Sequence, residues 1–71
     1  MARYVGILIE YNEKTGFGKI AMLLDGIIGD EYFIYKEEYE KVNINSKDIG
    51  SIFSFEIGDH GNSAININRY N

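Results

Sequence analysis

The chain reads as an all-β domain, a small barrel of five short antiparallel strands, and three observations carry that expectation. Twelve isoleucines, six tyrosines and four phenylalanines among 71 residues favour a pleated surface over a helix. Eight glycines recur along the chain, where turns or bulges are needed. Five apolar-rich segments are separated by turn signals, the pattern of a small closed sheet.

Residues 4–12 form the first expected strand, with Gly6 as a bend, since glycine inside a strand marks a bulge or tight corner. Residues 13–16 are a turn. The second strand covers 17–24, and Asp25-Gly26 between apolar runs predicts a tight hairpin. The third strand returns over 27–35, interrupted at Gly29-Asp30. Residues 36–41 suit a single helical turn, in which Glu37 and Lys41 have i,i+4 spacing. The stretch through Asn43, Asn45, Ser46 and Gly50 reads as loop. Residues 52–57 are the fourth strand, whose apolar set does not alternate and so leaves its buried face undecided. After a turn at 58–62, residues 64–68 alternate cleanly as the fifth.

A chain of this length holds one domain over residues 1–71, with no room for a second core. It has no cysteine, which removes disulfides and thiolate ligands and fits a reducing, cytoplasmic setting. No apolar run approaches the ~18 residues of a membrane helix, and no basic stretch leads into an apolar one at the start. No metal or cofactor is expected: His60 stands alone in a glycine-flanked turn, where a surface role is the plain reading. Gly16-Phe17-Gly18 is not followed by the Lys-Ser/Thr of a phosphate loop. Glu37-Glu38 and Asp30-Glu31 read as solvated acids rather than an acid/base pair, so no enzyme is expected.

Two segments carry the functional signal: Thr15-Gly16-Phe17-Gly18-Lys19-Ile20 and Tyr32-Phe33-Ile34-Tyr35. Strand alternation sets Phe17 and Lys19 opposite Ile20, and Phe33 and Tyr35 opposite Tyr32 and Ile34. If the strands are neighbours, Phe17, Phe33, Tyr35 and Lys19 share one outward platform. Aromatic rings beside ammonium groups bind single-stranded nucleic acid by stacking and phosphate contact. Burial in the barrel is the alternative for the two phenylalanines. Tyr11 and Tyr35 either extend the platform or sit half-buried. Lys14, Lys19 and Lys36 are the phosphate candidates, with simple solvation as their alternative. Eleven acids against seven bases, a net charge of −4, oppose a phosphate-binding role at long range.

The whole pattern resembles the bacterial cold-shock domain, a five-stranded OB-type Greek-key barrel that binds single-stranded RNA and DNA. Gly6 to Asn12 resembles its first strand, ending in the aromatic-Asn pair Tyr11-Asn12. Residues 15–20 resemble its first RNA-binding motif, Lys-Gly-Phe-Gly-Phe-Ile, and residues 32–36 its second, Val-Phe-Val-His-Phe. Residues 50–57 and 64–67 look like its fourth and fifth strands. The resemblance implies weak, largely sequence-tolerant single-strand binding of an RNA-chaperone kind. Tyr11, Phe17, Phe33 and Tyr35 would stack bases, and Lys14, Lys19 and Lys36 would meet phosphates.

The departures fall on the binding face. Ile9-Glu10 replaces Lys-Trp, so a carboxylate stands where the family stacks a tryptophan. Thr15 replaces the first motif's lysine, with Lys14 beside it. Lys19 and Lys36 each replace a phenylalanine, and Tyr35 replaces a histidine. The connection between the motifs is longer than in the family, and the 58–63 turn is shorter and lacks the family's proline and basic residue.

Residues 22–28 carry a rival reading. A hairpin apolar on both faces exposes a patch at Met22, Leu24, Ile27 and Ile28 suited to a protein partner or a homodimer. On that reading the barrel is an interaction module that has lost most of its nucleic-acid affinity.

Overall fold

In the computed structural model, which describes residues 2–70, the chain forms one antiparallel five-stranded sheet in the order β3-β2-β1-β4-β5. The strands are β1 (Tyr4–Asn12), β2 (Phe17–Leu24), β3 (Ile27–Tyr35), β4 (Ile52–Ile57) and β5 (Ala64–Arg69). A short helix, α1 (Lys36–Lys41), and a 3-10 turn at Ser46–Asp48 lie between β3 and β4. At its far edge β3 meets the segment before β5: the Phe33 N–H donates to the Asn62 carbonyl at 2.9 Å, beside a parallel bridge between Phe33 and Ser63.

One face of the sheet is the core. Leu8, Ile20, Ile34, Phe53 and Phe55 are fully buried there, joined by Tyr32, Tyr39, Ile44 and Ile67. The undecided face of β4 is thereby settled, because Phe53 and Phe55 pair with Gly6 and Tyr4 of β1 and turn inward with them. Gly6 is not the bend its composition suggested. It is paired on both sides, and a Cβ there would lie 2.7 Å from the Ala21 carbonyl and 3.0 Å from the Phe55 ring. Close approach, not curvature, requires glycine at that position.

Bulges set the register. The Asp25-Gly26 turn has positive φ at both residues (52° and 78°), as a tight hairpin needs. It starts β3 with Leu24 opposite Ile27 and Leu23 opposite Ile28, but farther along Ala21 is opposite Glu31. Gly29 and Asp30 therefore share the place opposite Met22, an extra residue in β3. In β1 the pairing moves from Leu8–Ile20 to Glu10–Lys19, leaving Ile9 as the extra residue. Each bulge reverses the facing of everything beyond it.

Two arginines tie the periphery. Arg3 donates to the Asn66 carbonyl at 2.7 Å, to Ser54 Oγ at 2.9 Å and to Glu56 at 3.1 Å, clasping β4 to β5. Arg69 holds Asp48 through two nitrogens (2.9 and 3.1 Å) and donates to the carbonyls of Val42 and Asn43. The long connection is thus anchored on β5. Within α1, Lys41 pairs at i,i+3 with Glu38 at 3.3 Å and not at i,i+4 with Glu37. No helix among the described residues is long and apolar enough to cross a membrane.

Candidate functional site

The outer face of β2 and β3 carries the aromatic cluster. Phe17 lies directly opposite Tyr35, and Lys19 opposite Phe33. Directly opposed residues share a face, so all four point outward, away from Ile20 and Ile34. Phe17, Phe33 and Tyr35 are 43%, 39% and 41% exposed, so each ring keeps a large open surface on the sheet. Phe17 is 5.4 Å from Tyr35 and 6.4 Å from Phe33, centroid to centroid, with interplanar angles of 61° and 64°. The rings therefore do not make a flat floor. Each offers its own π-face at a different tilt, which suits splayed planar groups rather than one continuous stack.

The β3 bulge creates this cluster. Had the hairpin register continued unbroken, Phe17 would face Ile34 and the aromatics would divide between the two faces. One extra residue at Gly29-Asp30 brings the two motifs onto the same side.

Charge around the rings is mixed. Lys19 Nζ sits 5.7 Å from the Phe33 centroid, within cation–π range. It also lies 3.9 Å from Glu31 and is paired across strands with Glu10, so carboxylates flank its charge. A recess of about 170 Å³ lies among Lys19, Glu31, Tyr32 and Phe33. Lys14 and Lys36 are exposed and have no ion-pair partner among the described residues. Lys14 lies in the 13–16 turn just before Phe17, where its backbone N–H is held by Asn12 Oδ1 at 2.9 Å. The stem of Lys36 runs beside Gly16 of the same turn: a Cβ on Gly16 would lie 3.4 Å from the Lys36 Cβ. Both residues thus lie by the turn at the Phe17–Tyr35 end of the cluster.

Two expected residues stand elsewhere. Tyr11 is not on the platform. The Ile9 bulge turns Glu10 outward beside Lys19, and Tyr11 inward opposite Gly18, on the core side. There its ring meets Tyr39 edge-on at 4.9 Å and packs against the core. Met22 does not belong to an exposed patch: it is 7% exposed, because it pairs with Gly6 on the core face. The hairpin's exposed apolar residues are Leu24, Ile27 and Ile28, at 58%, 70% and 62%.

Sequence reasoning passed over the surroundings of Tyr11. Tyr11, Glu13, Lys36, Tyr39, Glu40, Asn43 and Ile44 line a cleft of about 360 Å³ beside α1. Burial pushes both phenols above their ordinary range, and the Glu13 and Glu40 carboxylates push them further. Tyr39 was legible only as one apolar position in a helical turn. Nothing local announced that it would meet Tyr11 across the fold. Glu31, the carboxylate beside Lys19, was hidden for another reason: its place depends on the β3 bulge. Compared with models of protein families, with curated proteins and with solved structures, the chain matches none.

Proposed function

We propose that the protein binds single-stranded RNA or DNA weakly and with little sequence preference, on an OB-type Greek-key barrel of the cold-shock kind. The observation that carries this reading is the outward cluster of Phe17, Phe33 and Tyr35 with Lys19 among them and Lys14 and Lys36 at its end. Exposed rings at this density supply base stacking that does not depend on sequence, and the ammoniums supply phosphate contact. The contact between Phe33 and Asn62–Ser63 supports the barrel, since it brings β3 towards β5. Such a surface competes with base pairing, the basis of RNA-chaperone activity. It makes the chain a binding protein rather than an enzyme, and its freedom from cysteine suits the cytoplasm.

The affinity follows from the parts. Stacking contributes about 1–3 kcal/mol per base, so two or three bases give ~2–9 kcal/mol before the strand is ordered. A micromolar complex needs ~8 kcal/mol net. Glu10 and Glu31 beside Lys19 reduce the total further, so binding is weaker than micromolar. Titrating short oligo-dT or oligo-U should quench tyrosine fluorescence through Tyr35, and the Phe17→Ala, Phe33→Ala double variant should not respond. Absence of binding by the wild type at low salt and millimolar strand would overturn the reading.

A second reading rests on the hairpin. Leu24, Ile27 and Ile28 are exposed together at its tip, and residues 27–31 of β3 are exposed throughout. This patch suits a protein partner or a homodimer. Sedimentation showing a dimer that Leu24→Asp or Ile27→Asp dissolves, without strand binding, would favour it.

A further inference from the structure

The cleft beside α1 is a separate feature from the aromatic cluster. Its walls come from distant parts of the chain: Tyr11 and Glu13 from the end of β1 and its turn, Lys36, Tyr39 and Glu40 from α1, Asn43 and Ile44 from the loop behind it. Asn43 has a positive φ of 53°, the reversal that ends the helix and returns Ile44 to the core. The volume, about 360 Å³, lies near the lower end of small-molecule sites (roughly 300–1,000 Å³).

The chemistry of the lining is specific. Its apolar lining comes from the edge-to-face pair Tyr11–Tyr39 and the buried Ile44. Its charged groups are Glu13, Glu40 and Lys36, and Glu37 also raises the Tyr39 phenol. Neither Glu13 nor Glu40 has an ion-pair partner within 4.0 Å among the described residues. Both carboxylates line the same cleft as the two phenols, so their charge stands at its walls. An anion would meet that charge unfavourably, and a neutral apolar molecule would leave the carboxylates unused. A cation on an aliphatic stem satisfies both parts: methylenes on Ile44 and the tyrosine rings, positive head toward Glu13 and Glu40.

We propose that this cleft binds an aliphatic guanidinium or ammonium group, from a free alkylamine or from an arginine or lysine side chain. Lys36 is the one base in the lining and opposes the ligand. The same residue lies beside the turn that leads into Phe17, where it favours phosphate. Removing its charge therefore moves the two activities in opposite directions.

The test uses the labelled full chain at low ionic strength, following backbone amides by NMR during titration with agmatine, with a capped Gly-Arg-Gly peptide, and with neutral pentanol. Saturable shifts confined to Tyr11, Glu13 and residues 39–44 are expected with the two cations and not with pentanol. Glu13→Gln with Glu40→Gln should weaken cation binding roughly tenfold, and Lys36→Gln should strengthen it about two- to threefold, as partly exposed charges imply. Tighter binding of agmatine identifies a free amine as the ligand, and tighter binding of the peptide identifies a protein side chain. Equal binding of pentanol, or an unchanged agmatine affinity in the double variant, would overturn the proposal. Oligo-dT is titrated separately, so loss of strand binding leaves this result standing.

Discussion

Glu10 lies directly opposite Lys19 across β1 and β2, so the ammonium nearest the exposed rings faces a carboxylate on its own sheet. Glu31 approaches the same ammonium from the β3 side at 3.9 Å. Acid on both flanks reduces what Lys19 can offer a phosphate. Glu10→Gln and Glu31→Gln should each tighten oligo-dT binding by about 0.2–1 kcal/mol, or up to roughly fivefold, an effect that fades as salt rises. Fluorescence titrations at two ionic strengths measure it; equal affinities would show that these acids do not face the strand.

Salt dependence separates the lysines. Lys14 and Lys36 have no ion-pair partner among the described residues, and Lys19 has one. At ~0.7 per phosphate contact, two free ammoniums give a log–log salt slope of about −1.4, and Lys36→Gln should halve it. Lys19→Gln should change the slope less than either. A wild-type slope near zero would remove the phosphate role of all three.

The Gly29-Asp30 bulge predicts an asymmetry between deletion and substitution. Asp30 is exposed, so Asp30→Ser should leave the melting temperature nearly unchanged. Deleting Asp30 removes the extra residue and drives either Phe17 or the pair Phe33 and Tyr35 toward the wrong face. The deletion should lose cooperative unfolding, and strand binding with it, as seen by circular dichroism and titration together.

Gly6→Ala should destabilise by about 1–3 kcal/mol, through overpacking against backbone that cannot yield. The added methyl would lie 2.7 Å from the Ala21 carbonyl and 2.8 Å from Ile20 Cγ1. For a domain of this size each kcal/mol lowers the melting temperature by roughly 4–8 °C. Gly26→Ala tests a different cost: nothing lies within 4 Å of a Cβ there, so only its φ of +78° resists the change.

Asp48 predicts an acid-sensitive clasp. Its hydrogen bonds from Arg69 and from the Asn45 N–H hold its carboxyl below the ordinary 3.8. A lowered folded value contributes stability that is complete above the unfolded value and is lost as pH falls through the folded one. Asp48→Asn should therefore cost about 1 kcal/mol at neutral pH, a figure reduced for the exposure of Arg69. The gap between wild type and variant should close below pH 3.8. Thermal melts from pH 7 to pH 2 would show it.

Strand positions were readable because each rests on local chemistry. Apolar and β-branched residues mark the strands, Asp25-Gly26 can adopt the two positive φ values of a tight turn, and glycine at Gly16 ends the β1–β2 turn. The clean alternation read over 64–68 fails: Asn66 and Ile67 share the place opposite Phe55, a bulge that puts Ala64 and Ile67 both in the core. The same local rules give facing only as far as the next bulge. Alternation counted from Phe17 and from Phe33 placed both rings outward, while Tyr11 was left between the platform and a half-buried site. The structure inserts one residue at Ile9, and Tyr11 turns to Tyr39.

Composition and periodicity by themselves determined an all-β chain, the extents of its strands, and a pair of motifs rich in aromatics and lysine. Only the tertiary structure decided which rings share a face, that Lys19 lies between two carboxylates, that Met22 is core, and that Tyr11, Tyr39, Glu13 and Glu40 enclose a cleft. The reason is the range of the forces involved. Turn and strand preferences act over a few neighbouring residues, whereas a bulge, a buried ring and a shared charge are fixed by partners that meet only when the sheet is assembled.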